Sequence, residues 1–147
     1  MNNSSSGAVY KGLALGTNSS GIFLYATNFH AGTIDVFDTN GHLIKRLVSQ
    51  GQLDSPWGLA LAGGSFGTFS NDLLVGNFGN GHINAFDPNT GAFLGHLTDN
   101  QGHTIIIDGL WSLLFGLGGQ AGNPNQLFFT AGIHQEADGL FGMIQAM

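Results

Sequence analysis

The residues of this chain that can take part in chemistry are few, and several recur in pairs at constant spacing. Each tryptophan follows an aspartate by three positions, and an asparagine precedes a phenylalanine at two places. Aromatic rings with nearby carboxylates and amides are typical of the lining of a ligand site. The paired candidates are Asp54, Trp57, Asp108, Trp111, Asn28 and Asn77.

A structural role is the alternative for each of these pairs. Large aromatic side chains commonly fill the core between packed units, so Trp57 and Trp111 are also predicted as inter-unit core residues. In that case Asp54 and Asp108 cap the turns that precede them. The amides of Asn28 and Asn77 then bond to the adjacent loop backbone, as asparagine does in turns.

The six histidines show no ligand spacing that is recognised for metal sites, such as His-x-x-x-His. The sequence therefore predicts no metal site, no cofactor and no catalytic set. Asp35, Asp38, Asp87 and Asp99 are predicted as turn residues, because a calcium loop of the EF type needs a distal glutamate. The single glutamate, Glu136, is far from them.

The pairs belong to an internal repeat. The segment from Asn28 to Asp38 matches the segment from Asn77 to Asp87 after a shift of 49 residues. The string Gly-Leu-Ala-Leu occurs at residues 12–15 and again at residues 58–61. A repeat of this length, broken by glycines and turn residues, is typical of propeller blades built from four short strands.

The repeat predicts an all-β fold, a partial (open) β-propeller of about two and a half four-stranded blades. The blades span about residues 10–55, 56–108 and 109–147, in one domain, after a disordered segment 1–9. In the second blade we expect strands at 57–62, 73–78, 82–87 and 92–98. The last strands of the shorter third blade are expected at 127–131 and 140–144. The loops between second and third strands contain His30 and His134, which are added to the ligand candidates. The alternative is that both are solvated loop residues.

Several motifs resemble the NHL repeat. They are Pro56-Trp57-Gly58-Leu59-Ala60, Leu74-Val75-Gly76-Asn77-Phe78 and Ile83-Asn84-Ala85-Phe86-Asp87. From Tyr10 onward the chain is similar to an uncharacterised bacterial family of NHL-like propeller proteins, some with PEP-CTERM sorting signals. The resemblance implies a propeller without an established activity. Members of that family are longer and exported, so this chain resembles a truncated member.

Composition excludes several classes of function. Charged residues make up 8% of the chain, the formal net charge is −6, and only three residues are Lys or Arg. Nucleic-acid binding needs several cations to neutralise phosphates, so it is not expected. There is no cysteine, and the N-terminal sequence MNNSSSG is not a signal peptide. No membrane span is predicted, and the localisation stays unknown.

Three functional hypotheses follow. The first is a non-enzymatic module that binds a protein or a glycan. The second is a remnant of an NHL-type lyase or hydrolase with an axial site, in which His30 or His134 acts with Asp54 or Asp108. The third is a truncated reading frame without a function of its own. Because two and a half blades leave open edges, we also expect self-association.

Overall fold

The structure is a computed structural model that describes residues 7–146, apart from the side chain of Asn18. Eleven strands form three antiparallel sheets in that part of the chain. The first sheet contains β1 (Tyr10–Asn18), β2 (Gly21–Asn28), β3 (Thr33–Asp38) and β4 (Leu43–Ser49). The second contains β5 (Pro56–Leu61), β6 (Leu73–Asn77), β7 (Ile83–Phe86) and β8 (Phe93–His96). The third contains β9 (Leu110–Phe115), β10 (Gln126–Gly132) and β11 (Asp138–Gln145).

Each sheet is a simple meander of strands that are consecutive in the chain. The longer connections within a sheet are residues 62–72, between β5 and β6, and residues 116–125, between β9 and β10. Two 3-10 turns, at Gly67–Phe69 and Gly119–Ala121, and one tight left-handed turn, at Ile133–Glu136, lie in loops of the described residues. The turn residues act as expected, because Gly41 and Gly91 have positive φ angles of 82° and 74° in the hairpins after β3 and β7. The prediction of a partial open β-propeller is confirmed.

The inner strands β1, β5 and β9 pack side by side and bring the three sheets together. One hydrophobic cluster, which includes Tyr25, Ile34 and Phe86, fills the space between the first and second sheets. A second cluster, which includes Leu74 and Leu127, lies between the second and third sheets. The two cores therefore sit between sheets, as packed propeller blades require.

Close packing of the inner strands depends on glycine. A Cβ on Gly12 would lie 2.1 Å from the carbonyl oxygen of Trp57, and a Cβ on Gly58 would lie 2.6 Å from that of Trp111. Any larger residue would force the neighbouring inner strands apart. The repeated Gly-Leu-Ala-Leu string therefore marks the places where one sheet meets the next.

Two sequence predictions concern Asp35 and the N-terminal segment. Asp35 was wrongly assigned to a turn: it lies in β3, and its side chain is fully buried, where Tyr10 and Arg46 both donate hydrogen bonds to its carboxylate. Of the segment predicted to be disordered, residues 1–6 lie outside the described part of the chain. Val9 bonds to the end of β2, because its N–H donates to Asn28 and its carbonyl accepts from Phe29.

Candidate ligand-binding site

One position of the repeat places a side chain at the start of each inner strand. In every sheet this residue is the second residue of the inner strand. The first residue of the inner strand pairs with a residue at or near the end of the second strand of the same sheet. The residues at this position are Lys11 in β1, Trp57 in β5 and Trp111 in β9. Because the inner strands pack side by side, these three side chains follow one another from sheet to sheet.

Four aromatic rings form a contiguous group around this position, which we call the axial cluster: Phe29, Trp57, Phe78 and Trp111. The Trp57 ring lies 5.8 Å from Phe29, 5.7 Å from Phe78 and 6.2 Å from Trp111, measured between centroids. The two phenylalanine rings are 5.9 Å apart. All four side chains are half-buried, so each retains surface that a ligand can reach.

Lys11 closes one end of the axial cluster. Its ammonium group lies 4.4 Å from the centroid of the Trp57 ring and 5.6 Å from that of Phe29. Both distances are within the range in which the negative face of an aromatic ring attracts a cation. The ammonium group of Lys11, a residue of the first sheet, is therefore held against the aromatic surface of this site.

A strained turn closes the other end. Three consecutive residues that are not glycine, His134, Gln135 and Glu136, have φ angles of 54°, 57° and 66°. This left-handed backbone costs about 1–2 kcal/mol for each such residue. The turn places the Glu136 carboxylate 2.9 Å from the indole nitrogen of Trp111, which donates a hydrogen bond to it. Strain of this kind persists where the surrounding contacts impose it, and it often marks functional sites.

The two candidate aspartates support loops next to the axial cluster. The carbonyl oxygen of Asp54 accepts a hydrogen bond from the N–H of Gly79, and a Cβ on that glycine would overlap the Asp54 carboxylate. Asp108 accepts a hydrogen bond from the backbone N–H of His134 at 3.2 Å. Both carboxylates thus lie against the loops that connect second and third strands.

The candidate asparagines are buried at the ends of β2 and β6. The side-chain oxygen of Asn28 accepts from the N–H groups of Val9 and Ala31, at 3.2 and 3.3 Å. The side-chain nitrogen of Asn77 donates to the carbonyl oxygen of Gln52 at 2.8 Å. Their side chains are 1% and 0% exposed, so both amides hold the adjacent backbone and have no surface for a ligand.

The candidate histidines lie at the edge of the site. His30 is exposed, and its ring lies 5.6 Å from that of Phe29. The Nδ1 atom of His134 is 2.9 Å from an Asp138 carboxylate oxygen. Similar pairs occur in two other exposed turns, at His42 with Asp38 and at His103 with Asp99. The His134 pair therefore has the same local chemistry as turns far from the axial cluster.

Between residues 7 and 146 no three carboxylate or histidine side chains are close enough to hold a metal ion. No helix in that range is long and apolar enough to span a bilayer. A cavity of about 460 Å³ lies between the second sheet and the end of β11, and its lining includes Phe69 and Ile144. None of the candidate site residues lines that cavity.

Four contributors to the site were missed by sequence reasoning: Lys11, Phe29, Phe78 and Glu136. The two phenylalanines follow the paired asparagines in the repeat, and Lys11 precedes the repeated Gly-Leu-Ala-Leu string just as Trp57 does. An alignment of the inner strands by their glycines would have found Lys11. No pattern in the sequence marks Glu136, because its place depends on the left-handed turn.

Sequence comparisons find uncharacterised relatives of this chain. No protein-family model matches the chain. It is 39% identical over 113 residues to an uncharacterised protein of Acanthamoeba polyphaga mimivirus, a match that covers 77% of this chain and 27% of that protein. A second uncharacterised protein of the same virus is 36% identical over 124 residues, 84% of this chain and 32% of its own length. The chain thus spans about a third or less of these curated relatives.

Solved propeller-like structures are similar to almost the whole chain. A luciferin-regenerating enzyme superposes with a TM-score of 0.61 at 14% identity, over 95% of this chain and 45% of its own. The glutaminyl cyclase of Myxococcus xanthus gives 0.58 at 16% identity, with 95% and 53% coverage. A catalytically inactive virginiamycin B lyase from Staphylococcus aureus gives 0.56 at 16% identity, with 96% and 42% coverage. At such low identity these similarities define the fold class, a β-propeller-like protein, and not an activity.

Proposed function

We propose that the chain is a non-enzymatic propeller module of the NHL type that binds a protein or glycan ligand at the axial cluster. The observation that carries this proposal is the contiguous group of four half-buried rings at the start of the inner strands. Aromatic side chains give a large contact area for little loss of conformational entropy, and they are enriched where proteins bind ligands.

The polar groups around the rings fit such a ligand. Lys11 lies at one end of the axial cluster and Glu136 at the other. The apolar face of a sugar ring, or the side chains of a peptide, would stack on the indoles while hydroxyl or amide groups bond to these two residues. A few polar groups placed around an apolar surface are typical of small-ligand and peptide sites.

The NHL assignment is supported by where its motifs lie. The Pro56–Ala60 motif lies in β5, and the next motif begins in β6 and ends at Phe78, in the loop that contains Gly79. The curated relatives are viral proteins, so descent from the exported bacterial propeller family remains a proposal.

Tryptophan fluorescence offers a direct test, because both tryptophans of the chain belong to the axial cluster. We expect a soluble oligosaccharide or a peptide from a screening panel to shift the emission. Replacing Phe78 with alanine should weaken that binding at least about tenfold, as a buried contact residue does. Phe93→Ala is the matched control, because Phe93 is a partly exposed aromatic residue of β8 outside the cluster. Equal affinities for the two variants would contradict the proposal.

The alternative function is a lyase or hydrolase with an axial His/Asp site. One observation favours it: on a strained turn beside Trp111, the His134 ring pairs with Asp138, and the backbone N–H of His134 donates a hydrogen bond to Asp108. If this is the function, His134→Ala abolishes turnover of an ester, lactone or peptide substrate. The control His103→Ala removes an equivalent exposed His–Asp pair and should leave turnover unchanged. Loss of activity in both variants would contradict a role for the axial site.

We also propose that the chain associates with itself. The outer faces of the first and third sheets expose large apolar side chains, which include Leu13 at 66% and Phe141 at 70%. Exposed apolar patches of this kind mark interfaces between proteins. Sedimentation at low micromolar concentration tests the proposal, and a folded monomer would overturn it.

A further inference from the structure

The exposed outer faces of the first and third sheets consist of residues whose equivalents in the other sheets are buried between sheets. In β1, Gly12 and Ala14 face the second sheet, so Leu13 and Leu15 point to the opposite side, where they are 66% and 65% exposed. The equivalent residues of β5 are Leu59 and Leu61, which pack against the first sheet. The outer face of the first sheet is therefore the surface that a preceding blade covers.

The third sheet presents the complementary surface. Phe141 and Met143 of β11 lie opposite Thr130 and Phe128, as Ile34 and Val36 of β3 lie opposite Thr27 and Tyr25. Ile34 and Val36 are buried against the second sheet, whereas Phe141 and Met143 are 70% and 45% exposed. The outer face of the third sheet is therefore the surface that a following blade covers.

The charges at the axial ends of these faces are opposite. Lys11 stands at the first sheet and Glu136 at the third. Within the chain, the side chain at the Lys11 position of one sheet contacts that of the next, because the Lys11 ammonium lies over Trp57 and the Trp57 ring lies near Trp111. A side chain that continues the series Lys11, Trp57 and Trp111 would belong to the inner strand of a following sheet.

From these observations we infer that two copies of the chain join head to tail, with the Leu13 face of one on the Phe141 face of the other. Lys11 of each copy then meets Trp111 and Glu136 of its partner. This inference rests on the proposed self-association and gives it a definite geometry. Head-to-tail contact covers the Leu13 face of one copy and the Phe141 face of the other. The Lys11 side chain of each copy then lies between Trp57 of its own chain and Trp111 of the partner.

Zero-length carbodiimide cross-linking tests this pairing, because it joins only amines and carboxylates in direct contact. Glu136 is the only glutamate, and Lys11 and Lys45 are the only lysines. We expect a cross-linked peptide joining Lys11 to Glu136, present only in a species of twice 15.3 kDa. A species that contains a Lys45 cross-link and none from Lys11 would overturn the proposed geometry.

Sedimentation of charge variants provides the second measurement. Lys11→Glu and Glu136→Lys should each weaken association about tenfold or more, since like charges would then oppose one another, and the double variant should restore most of it. Glu136→Gln keeps an acceptor for the Trp111 indole and should have a smaller effect. Lys45→Met is the control, because Lys45 bonds only to the carbonyl of Asn89 on the second sheet.

The outcomes separate the two proposals. A wild-type chain that is monomeric at every concentration overturns both the self-association and its geometry. A wild-type dimer that responds equally to Lys11→Glu and Lys45→Met, without rescue by the double variant, overturns the head-to-tail geometry alone. Larger assemblies that grow with concentration and still show the Lys11–Glu136 cross-link would support head-to-tail contact that continues from copy to copy.

Discussion

The substitution Gly12→Ala tests the claim that close approach of the inner strands holds the sheets together. The added Cβ would lie 2.1 Å from the carbonyl oxygen of Trp57, whereas ordinary contact begins at 3.4 Å. The obstacle is backbone and cannot rotate away. The first and second sheets must therefore separate by about 1 Å along this line, or β1 must bend.

The cost can be estimated from the contacts that this movement disturbs. Overpacking of a well-packed interior costs about 1–3 kcal/mol. Movement of β1 also strains two hydrogen bonds of 2.8 Å, from the Gly12 N–H to Thr27 and from Thr27 to the Trp57 carbonyl. Each contributes about 1 kcal/mol net. Alanine recovers up to about 1 kcal/mol by restricting the unfolded chain. We therefore expect Gly12→Ala to lower the free energy of unfolding by about 2–4 kcal/mol.

The matched control is Gly63→Ala. Gly63 is exposed, a Cβ there would meet nothing within 4 Å, and its φ angle is outside the left-handed region. Its free energy of unfolding should stay within about 0.5 kcal/mol of the wild type. Urea titrations at one chain concentration, followed by tryptophan fluorescence, measure both variants. If Gly12→Ala unfolds at the same urea midpoint as Gly63→Ala, the reasoning about inner-strand contact is wrong.

Three further predictions concern the site and its charges. Trp57→Ala and Trp111→Ala should each lower the free energy of unfolding by about 1.5–2.5 kcal/mol, roughly half the cost for a fully buried tryptophan, because both are half-buried. Circular dichroism in urea measures this change. Burial, with the hydrogen bond to Asp35, raises the pKa of Tyr10 to about 12. Ultraviolet absorbance should show its ionisation there. Its contribution to stability should be complete below the ordinary value of 10 and should be lost as the pH rises from 10 through about 12, and Asp35→Asn should lower that pKa. The hydrogen bond from the backbone N–H of His103 lowers the pKa of the Asp99 carboxyl. NMR of the carboxyl carbon should therefore show that Asp99 titrates below its ordinary pKa of 3.8. The stability that the ionised Asp99 contributes should be lost as the pH falls through this lowered pKa.

Much of the fold was predictable because it depends on local patterns. The strand predicted at residues 57–62 is β5 (Pro56–Leu61), and the one predicted at residues 82–87 contains β7 (Ile83–Phe86). Strands of this kind are set by short apolar runs between turn residues, and glycines with positive φ angles fix where the chain reverses. The repeat then showed that these hairpins belong to equivalent sheets.

The site was harder to predict because its residues meet only through packing between sheets. Trp57 was a candidate, but its contact with Lys11 depends on the side-by-side packing of β1 and β5. The sequence likewise gave no reason to expect a buried Asp35, since a carboxylate in a strand is normally solvated. Its burial requires Tyr10 and Arg46, which are remote in sequence and reach it only in the folded sheet.

The inner-strand glycines also explain why the axial cluster lies where it does. Gly12 and Gly58 allow backbones to touch, which leaves no room for a side chain between the strands at that level. The residue before each glycine, Lys11 or Trp57, lies at the start of its inner strand, where its side chain meets the Trp57 or Trp111 ring of the next sheet. Blade packing and ligand surface therefore have one cause. A substitution at Gly12 that separates the sheets should also move the Lys11 ammonium from Trp57, and the ligand site should weaken together with the fold.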